Sequence, residues 1–183
     1  MNKIMFNDKY GLTQAVLDGR KTQTRRVVMP EFLEGILGKS FSFTEEDKPE
    51  LLRLAKYKIG EEVAVAQRYS ECNRAVCLVN TKGWDNKMFV GAILMPHRIR
   101  ITNVRVERLQ DISDEDCMKE GIMHYDDVFG TGYMIADPYN NNYRRHCYTT
   151  QRKAFADLID KTCGKGTWES NPWVFVYEFE LIK

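Results

Sequence analysis

The sequence predicts an α+β fold: a small β-barrel core with short flanking helices and inserted loops. Three observations lead there. First, "RIRITNVRVERL" (98–109) and "WVFVYEFELI" (173–182) set side chains on alternate faces with the two-residue period of a strand. Second, the helical patterns are few and short, without the strand–helix–strand rhythm of a doubly wound sheet. Third, 43% of the 183 residues are hydrophobic and 11% aromatic, enough to pack one core. Residues 1–183 therefore read as a single domain, with room for sizeable insertions.

Taken in order, "KIMF" (3–6) is a short strand. "YGLTQAVLDG" (10–19) places Leu12, Ala15 and Val16 at helical spacing, and Gly19 suits the C-terminal stop. "TQTRRVV" (22–28) alternates as a strand and ends before Pro30. "PELLRLAK" (49–56) is a short helix begun by Pro49. "GEEVAVAQRY" (60–69) puts Val63 and Val65 on one strand face. The turn-rich "NTKGWDNK" (80–87) is expected to join two strands of a hairpin inside 70–97. Within 98–109, Ile99 and Ile101 share one face and Arg98 and Arg100 the other; the phase slips near Asn103, which predicts a bulge. "SDEDCMKEG" (113–121) is a helix with Ser113 as N-cap, Asp114, Glu115 and Asp116 in its positive first turn, and Gly121 at its end. "TTQRKAFADLIDK" (149–161) is a helix that buries Ala154, Phe155, Leu158 and Ile159. In the closing strand, Trp173, Phe175, Tyr177, Phe179 and Leu181 lie on one face.

Charge narrows the possible partners. With 27 basic and 26 acidic residues the net charge is +1, so no overall field draws in DNA or a membrane, and electrostatic recognition must be local. The start "MNKIMFNDKY" lacks a signal-peptide core, and the longest apolar run, "FVGAILM" (89–95), is too short to span a bilayer. Five cysteines, irregularly spaced and without C-x-x-C, point to reduced thiols and a cytoplasmic setting. His146-Cys147 has no partner spacing, so no metal and no cofactor is predicted.

Against that near-neutral background "DGRKTQTRR" (18–26) stands out, with Arg20, Lys21, Arg25 and Arg26 around Thr22 and Thr24. A threonine hydroxyl attacks only when a base takes its proton, and lysine is a base only when neutral. Neighbouring cations and desolvation both push a lysine toward neutrality. The cluster suits either activation of Thr24 or the holding of an anion such as phosphate. The plain alternative is an edge strand guarded by solvated charge. In a regular strand Lys21 and Thr24 point to opposite faces, so Lys21 must sit in the turn or a bulge must intervene.

Four stretches in order, "GRKTQTRR", "YKIGEEVAVAQ", "ITNVRVERLQDISDEDCMKEGI" and "WESNPWVFVYEFELI", cover roughly half the chain. Together they resemble an ASCH domain of the PUA-like superfamily, of the type common in bacteriophages and prophages. That resemblance implies a PUA-like barrel, a cleft beside "GRKTQTRR", and RNA or a modified nucleoside or nucleotide as partner. One small ASCH group consists of amidohydrolases that remove the acetyl group from N4-acetylcytidine. By motif position, Lys21 and Thr24 match the lysine and threonine of that group, and Glu120 is the match to its glutamate. The local charge cluster, taken with that resemblance, makes Arg20, Thr22, Arg25, Arg26, Gln67 and Trp168 the candidate substrate-binding residues, with Arg26 or Arg25 on phosphate. This chain departs from the pattern at Gln67, where many relatives carry glutamate, and in three insertions, near 30–58, 70–97 and 122–148, that the small amidohydrolases lack. Three readings therefore stand: an RNA- or nucleotide-binding domain, an amidohydrolase acting on an acylated nucleoside, and a phage accessory protein that binds another protein.

The remaining signals are weaker. Aromatics beside a basic groove can stack on bases; Trp173 reads as core, whereas Trp168, in a Gly-rich turn, fits packing or stacking equally. Residues 122–148 hold six aromatics and "YRRH" (143–146), and fit either a binding loop or an ordered insertion packed on the barrel. "FGTGY" is too short a glycine signal for a phosphate loop, and Arg98 and Arg100 read as a solvated basic face.

Overall fold

A computed structural model describes residues 1–28, 44–72, 79, 81–127, 130–136 and 147–182. Its main sheet has the order β1-β3-β4-β8-β2, formed by β1 (Lys3–Ile4), β2 (Gln23–Val27), β3 (Glu62–Val65), β4 (Arg98–Arg108) and β8 (Trp173–Ile182). Only the β1–β3 pair is parallel; the other three pairs are antiparallel. The fold is mixed α+β, as the patterns predict. The two long alternating stretches are the adjacent central strands, and the phase slip is a register shift between Ile101 and Asn103. Because β8 is covered on both sides, its run is almost wholly apolar: Val174, Val176 and Tyr177 are all buried.

The expected barrel closure is not seen among the described residues. The sheet keeps two edges, β1 and β2, with no ladder between them. With only two residues, β1 has little backbone to offer a fifth pairing. A side chain bridges that gap instead, the Arg26 guanidinium donating to the Met5 carbonyl at 2.6 Å.

Among the described residues, five α-helices flank the sheet: α1 (Leu12–Leu17), α2 (Lys48–Arg53), α3 (Asp114–Lys119), α4 (Gln151–Cys163) and α5 (Thr167–Ser170). In α3 the Ser113 hydroxyl accepts from the Asp116 backbone N–H at 3.1 Å, the N-cap expected of it. Ala154, Phe155, Leu158 and Ile159 of α4 enter the main core with Val174 and Val176. None of the helices in the described residues is long and apolar enough to cross a membrane.

One insertion differs from expectation, and another takes, in its described residues, the ordered form that is one of its two expected alternatives. The second strand of the predicted hairpin in 70–97 is replaced by 3-10 turns at Lys87–Phe89 and Ala92–Leu94, while residues 73–78 and 80 lie outside the described residues. Lys87 is drawn inward there, and the Asn86 side chain caps the turn by accepting from the Met88 N–H. Residues 122–148 contribute β5 (Met123–Asp127), β6 (Gly130–Met134) and β7 (Cys147–Tyr148), a second antiparallel sheet of three strands. Phe129, Tyr139, Tyr143 and "YRRH" lie outside the described residues.

Candidate ligand cleft

Strand β2 is an edge, yet it is not the solvated, charge-guarded edge of the plain alternative. Gln23, Thr24 and Arg25 are buried, and of the basic pair only Arg26 is exposed. Lys21 lies in the turn ahead of β2, its N–H bonded to the Ala15 carbonyl at 2.9 Å, which settles how it and Thr24 can face one space. Lys21, Thr24, Arg25, Arg26 and Glu120 all line a cleft of about 500 Å³, floored by Phe6 and by Phe155 and Leu158 of α4.

The chemistry centres on Glu120, the residue that ends α3. Its carboxylate accepts from Lys21 Nζ at 2.6 Å on one oxygen and from Arg25 at 3.0 Å on the other. Its backbone carbonyl accepts a second bond from Lys21, at 2.8 Å. The Lys21 and Glu120 side chains are only 2% and 5% exposed, so this is a buried ion pair rather than a surface one. Gly121 follows with φ +101°, a backbone turn that lets α3 stop at the residue holding both cations.

Arg25 is bound more completely still. Besides Glu120, it donates to Glu107 through Nε at 3.1 Å and through a terminal nitrogen at 2.6 Å, and to Asp116 at 3.2 Å. Arg105 continues the network to Asp116, Glu107 and Glu178. Desolvation works against the Arg25 charge, but Glu120 and Glu107 outweigh it and hold its pKa above the ordinary value. Arg25 is thus committed to protein carboxylates; Arg26, with one bond to Met5, is the arginine with donors to spare.

Lys21 is driven the other way. Burial lowers its pKa below 10.5, opposed by Glu120 and reinforced by Arg26 and Arg25. Two of its three ammonium donors go to Glu120, which leaves one for the cleft. Thr24 is 4% exposed, and among the described residues its hydroxyl has no hydrogen-bond partner; it does not bond Lys21.

The other residues implicated by the motifs lie apart. Arg20 is partly exposed and pairs with Asp18 at 3.1 Å. Thr22 gives its backbone to Lys119 and Phe179 and does not line the cleft. Gln67 bonds His97 at 2.7 Å and lines a separate cleft of about 450 Å³ with Glu71 and Thr13. Trp168 sits edge-on to Phe155, 6.0 Å between ring centres, with the Arg152 guanidinium over it; its ring packs on the core. Trp173 is core, and Arg100 pairs in solvent with Glu62 and Glu180.

Sequence reasoning missed Lys87 and Asp8, which also line the cleft. Lys87 Nζ donates to the Asp8 carboxylate at 2.7 Å and to the Thr13 hydroxyl at 3.2 Å, pinning the insertion to the start of α1. A lysine beside a turn reads as solvated, so nothing local announces it. Among the described residues no cluster of His, Cys, Asp and Glu is arranged to hold a metal ion.

No protein-family model matches the chain, and no curated protein matches it. Among solved structures it is similar to an ASCH domain from Lactobacillus crispatus JV V101. The TM-score is 0.41 and the identity 12%, covering 96% of this chain and 75% of that one.

Proposed function

We propose that the cleft at Lys21, Thr24, Arg26 and Glu120 receives a nucleotide, free or presented by a flexible RNA segment, with Arg26 on the phosphate. One observation carries this reading: a buried Lys21–Glu120 pair opens on a nucleotide-sized cleft beside an unpartnered threonine hydroxyl. Buried ion pairs are weak contributors to stability, and perturbed lysines cluster at working sites. The ordered motifs support the ligand class, on a single ASCH-like domain whose sheet reads as a PUA-like barrel opened between β1 and β2. The test is calorimetric titration with the four ribonucleoside 5′-monophosphates at rising salt. Affinity should fall with salt, and Arg26→Gln, at an exposed position, should weaken it about tenfold. Absence of binding, or binding indifferent to salt and to Arg26, overturns the reading.

The lowered Lys21 pKa favours a second reading, hydrolysis of an acylated nucleoside such as N4-acetylcytidine. Neutral Lys21 takes the Thr24 proton, the freed oxygen attacks the acyl carbon, and Arg26 or a backbone N–H faces the oxyanion. Collapse breaks the C–N bond, Lys21 returns the proton to the leaving amine, and water then cleaves the threonyl ester. Both Glu120 oxygens are engaged, so its part is to position Lys21. Loss of acetyl should be seen in the wild type and fall sharply in both Lys21→Ala and Thr24→Ala; turnover surviving both changes sinks it.

A protein partner would be sought on the exposed apolar run of Met88, Phe89, Ile93 and Leu94. Because the basic cluster does open on a cleft, the nucleotide reading is the stronger one.

A further inference from the structure

The cleft has a neighbour. Met5 and Arg26 line it and also line a second cleft of about 700 Å³, which lies against Tyr57, Phe175, Tyr177 and Lys56. Both volumes fall within the range of about 300–1,000 Å³ usual for small-ligand sites.

The second cleft differs in character from the first. Among the described residues its lining includes three cations, Lys3, Arg26 and Lys56, and no carboxylate. Lys3 Nζ is spent on the carbonyls of Lys87, Met88 and Val90, at 3.3, 2.5 and 2.9 Å. That leaves Arg26 and the exposed Lys56, whose ammonium lies 5.3 Å from the centre of the Tyr57 ring. The floor is aromatic and fixed: Tyr57 and Tyr177 meet edge to face at 5.2 Å, and Phe175 leans on Tyr177 at 6.2 Å. Both hydroxyls face the backbone, Tyr57 donating to the Lys3 carbonyl and Tyr177 accepting from the Lys56 N–H. Tyr57 and Tyr177 are buried, at 4% and 1% exposure, so the ring surface on offer is that of the half-buried Phe175, braced by the two tyrosines.

Register ties the two clefts together. Thr24 pairs with Tyr177 and Arg26 with Phe175, so all four lie on one face of the sheet. Along β2, Thr24 and Arg26 are two residues apart, about 7 Å. Thr24 belongs to the first cleft, Arg26 to both, and Phe175 and Tyr177 to the second.

We infer that the second cleft is a subsite for the adjoining nucleotide of an RNA strand, so that the ligand is an oligoribonucleotide and Arg26 holds the phosphate between its two units. The inference rests on the nucleotide reading of the first cleft. The half-buried Phe175 ring can take the face of a base without regard to its identity, and a rim whose charged members among the described residues are all cations matches a phosphate. An uncharged apolar occupant would leave the two unspent cations without a role.

The experiment compares each of the four ribonucleoside 5′-monophosphates with its own homodinucleotide, titrated into the full chain, its Lys56→Glu variant and its Phe175→Leu variant. Lys56 is exposed, so that variant should fold; Phe175→Leu keeps an apolar group in the partly buried position and removes the ring. The dinucleotide is expected to bind about tenfold tighter than the monophosphate. Lys56→Glu should abolish that gain and leave monophosphate affinity unchanged within about twofold. Phe175→Leu should reduce it. Equal affinity for monophosphate and dinucleotide, or a gain that survives both variants, overturns the second subsite while the first-cleft reading stands. Dinucleotide binding that depends on Lys56, with no monophosphate binding, upholds the subsite and counts against the first cleft as an independent site. Binding of neither overturns both.

Discussion

Replacing Glu120 by glutamine removes the charge on which two buried cations converge. Glu120 and Lys21 are 5% and 2% exposed at the side chain, and Arg25 is 1% exposed. Breaking a buried pair of this kind costs about 3–5 kcal/mol, chiefly because an uncompensated charge stays behind. Three features soften the loss. Glutamine keeps one acceptor oxygen, worth about 1 kcal/mol. Arg25 retains Glu107 and Asp116. Lys21 keeps the Glu120 carbonyl at 2.8 Å and can shed a proton already loosened by burial. The expected loss is therefore about 2–4 kcal/mol, or about 5–15 °C in Tm for a chain of this size. Urea unfolding of wild type, Glu120→Gln, Lys21→Met and the double variant measures it. The two changes should be strongly non-additive, the double variant recovering at least about 1 kcal/mol. A single-variant loss under about 0.5 kcal/mol, the behaviour of a surface pair, or simple additivity would refute the buried-pair account.

Two further perturbations reach the same site. Because the folded Lys21 pKa is lowered from 10.5, the unfolded chain binds more protons between the two values, so the stability of wild type relative to Lys21→Met should rise with pH across that window. Urea midpoints of the two proteins, compared at each pH, check the sign, and a falling difference contradicts it; the comparison also cancels the opposing titration of Cys117, whose thiol burial pushes up to about 12. Gly121→Ala should cost about 1–3 kcal/mol, since φ is +101° and the new Cβ would lie 3.3 Å from Leu12 and 3.7 Å from the Lys21 Cβ. Gly130→Ala, at φ +130° with nothing within 4 Å, should cost less and leave ligand affinity alone; thermal melts and titrations of both variants decide.

What could be read from the chain followed from range. Period-two alternation, a Ser113 cap and the Asn103 phase slip are local, and each has its counterpart in the fold. Lys21, Thr24 and Glu120 were reached through motif order, and the structure sets all three on one cleft. The partners of Arg25 were not legible. Glu107 and Asp116 stand 82 and 91 positions away, brought close only by the β2–β8–β4 register and the seat of α3. Asp116 had a sufficient local explanation as an acidic residue in a helix's first turn, which hid its second task. Gln67 and Trp168 were drawn in by motif proximity, but their side chains turn to His97 and to Phe155. Barrel closure depends on the meeting of two edges, and alternation within a strand says nothing about its neighbours.

The interlocked charges behind the cleft also constrain how this protein can change. Three cations, Lys21, Arg25 and Arg105, share four carboxylates, Glu107, Asp116, Glu120 and Glu178. Most of these groups touch more than one opposite charge, and Lys21, Arg25 and Glu120 are at most 5% exposed at the side chain, so reversing any of those three sets like charges against each other where little water screens them. Drift here must proceed through concerted exchanges, a cation and its carboxylate swapping together, or through wholesale conversion to apolar packing. Arg26 and Lys56, which pair with no carboxylate among the described residues, are under no such tie and are where a new ligand preference could arise one substitution at a time.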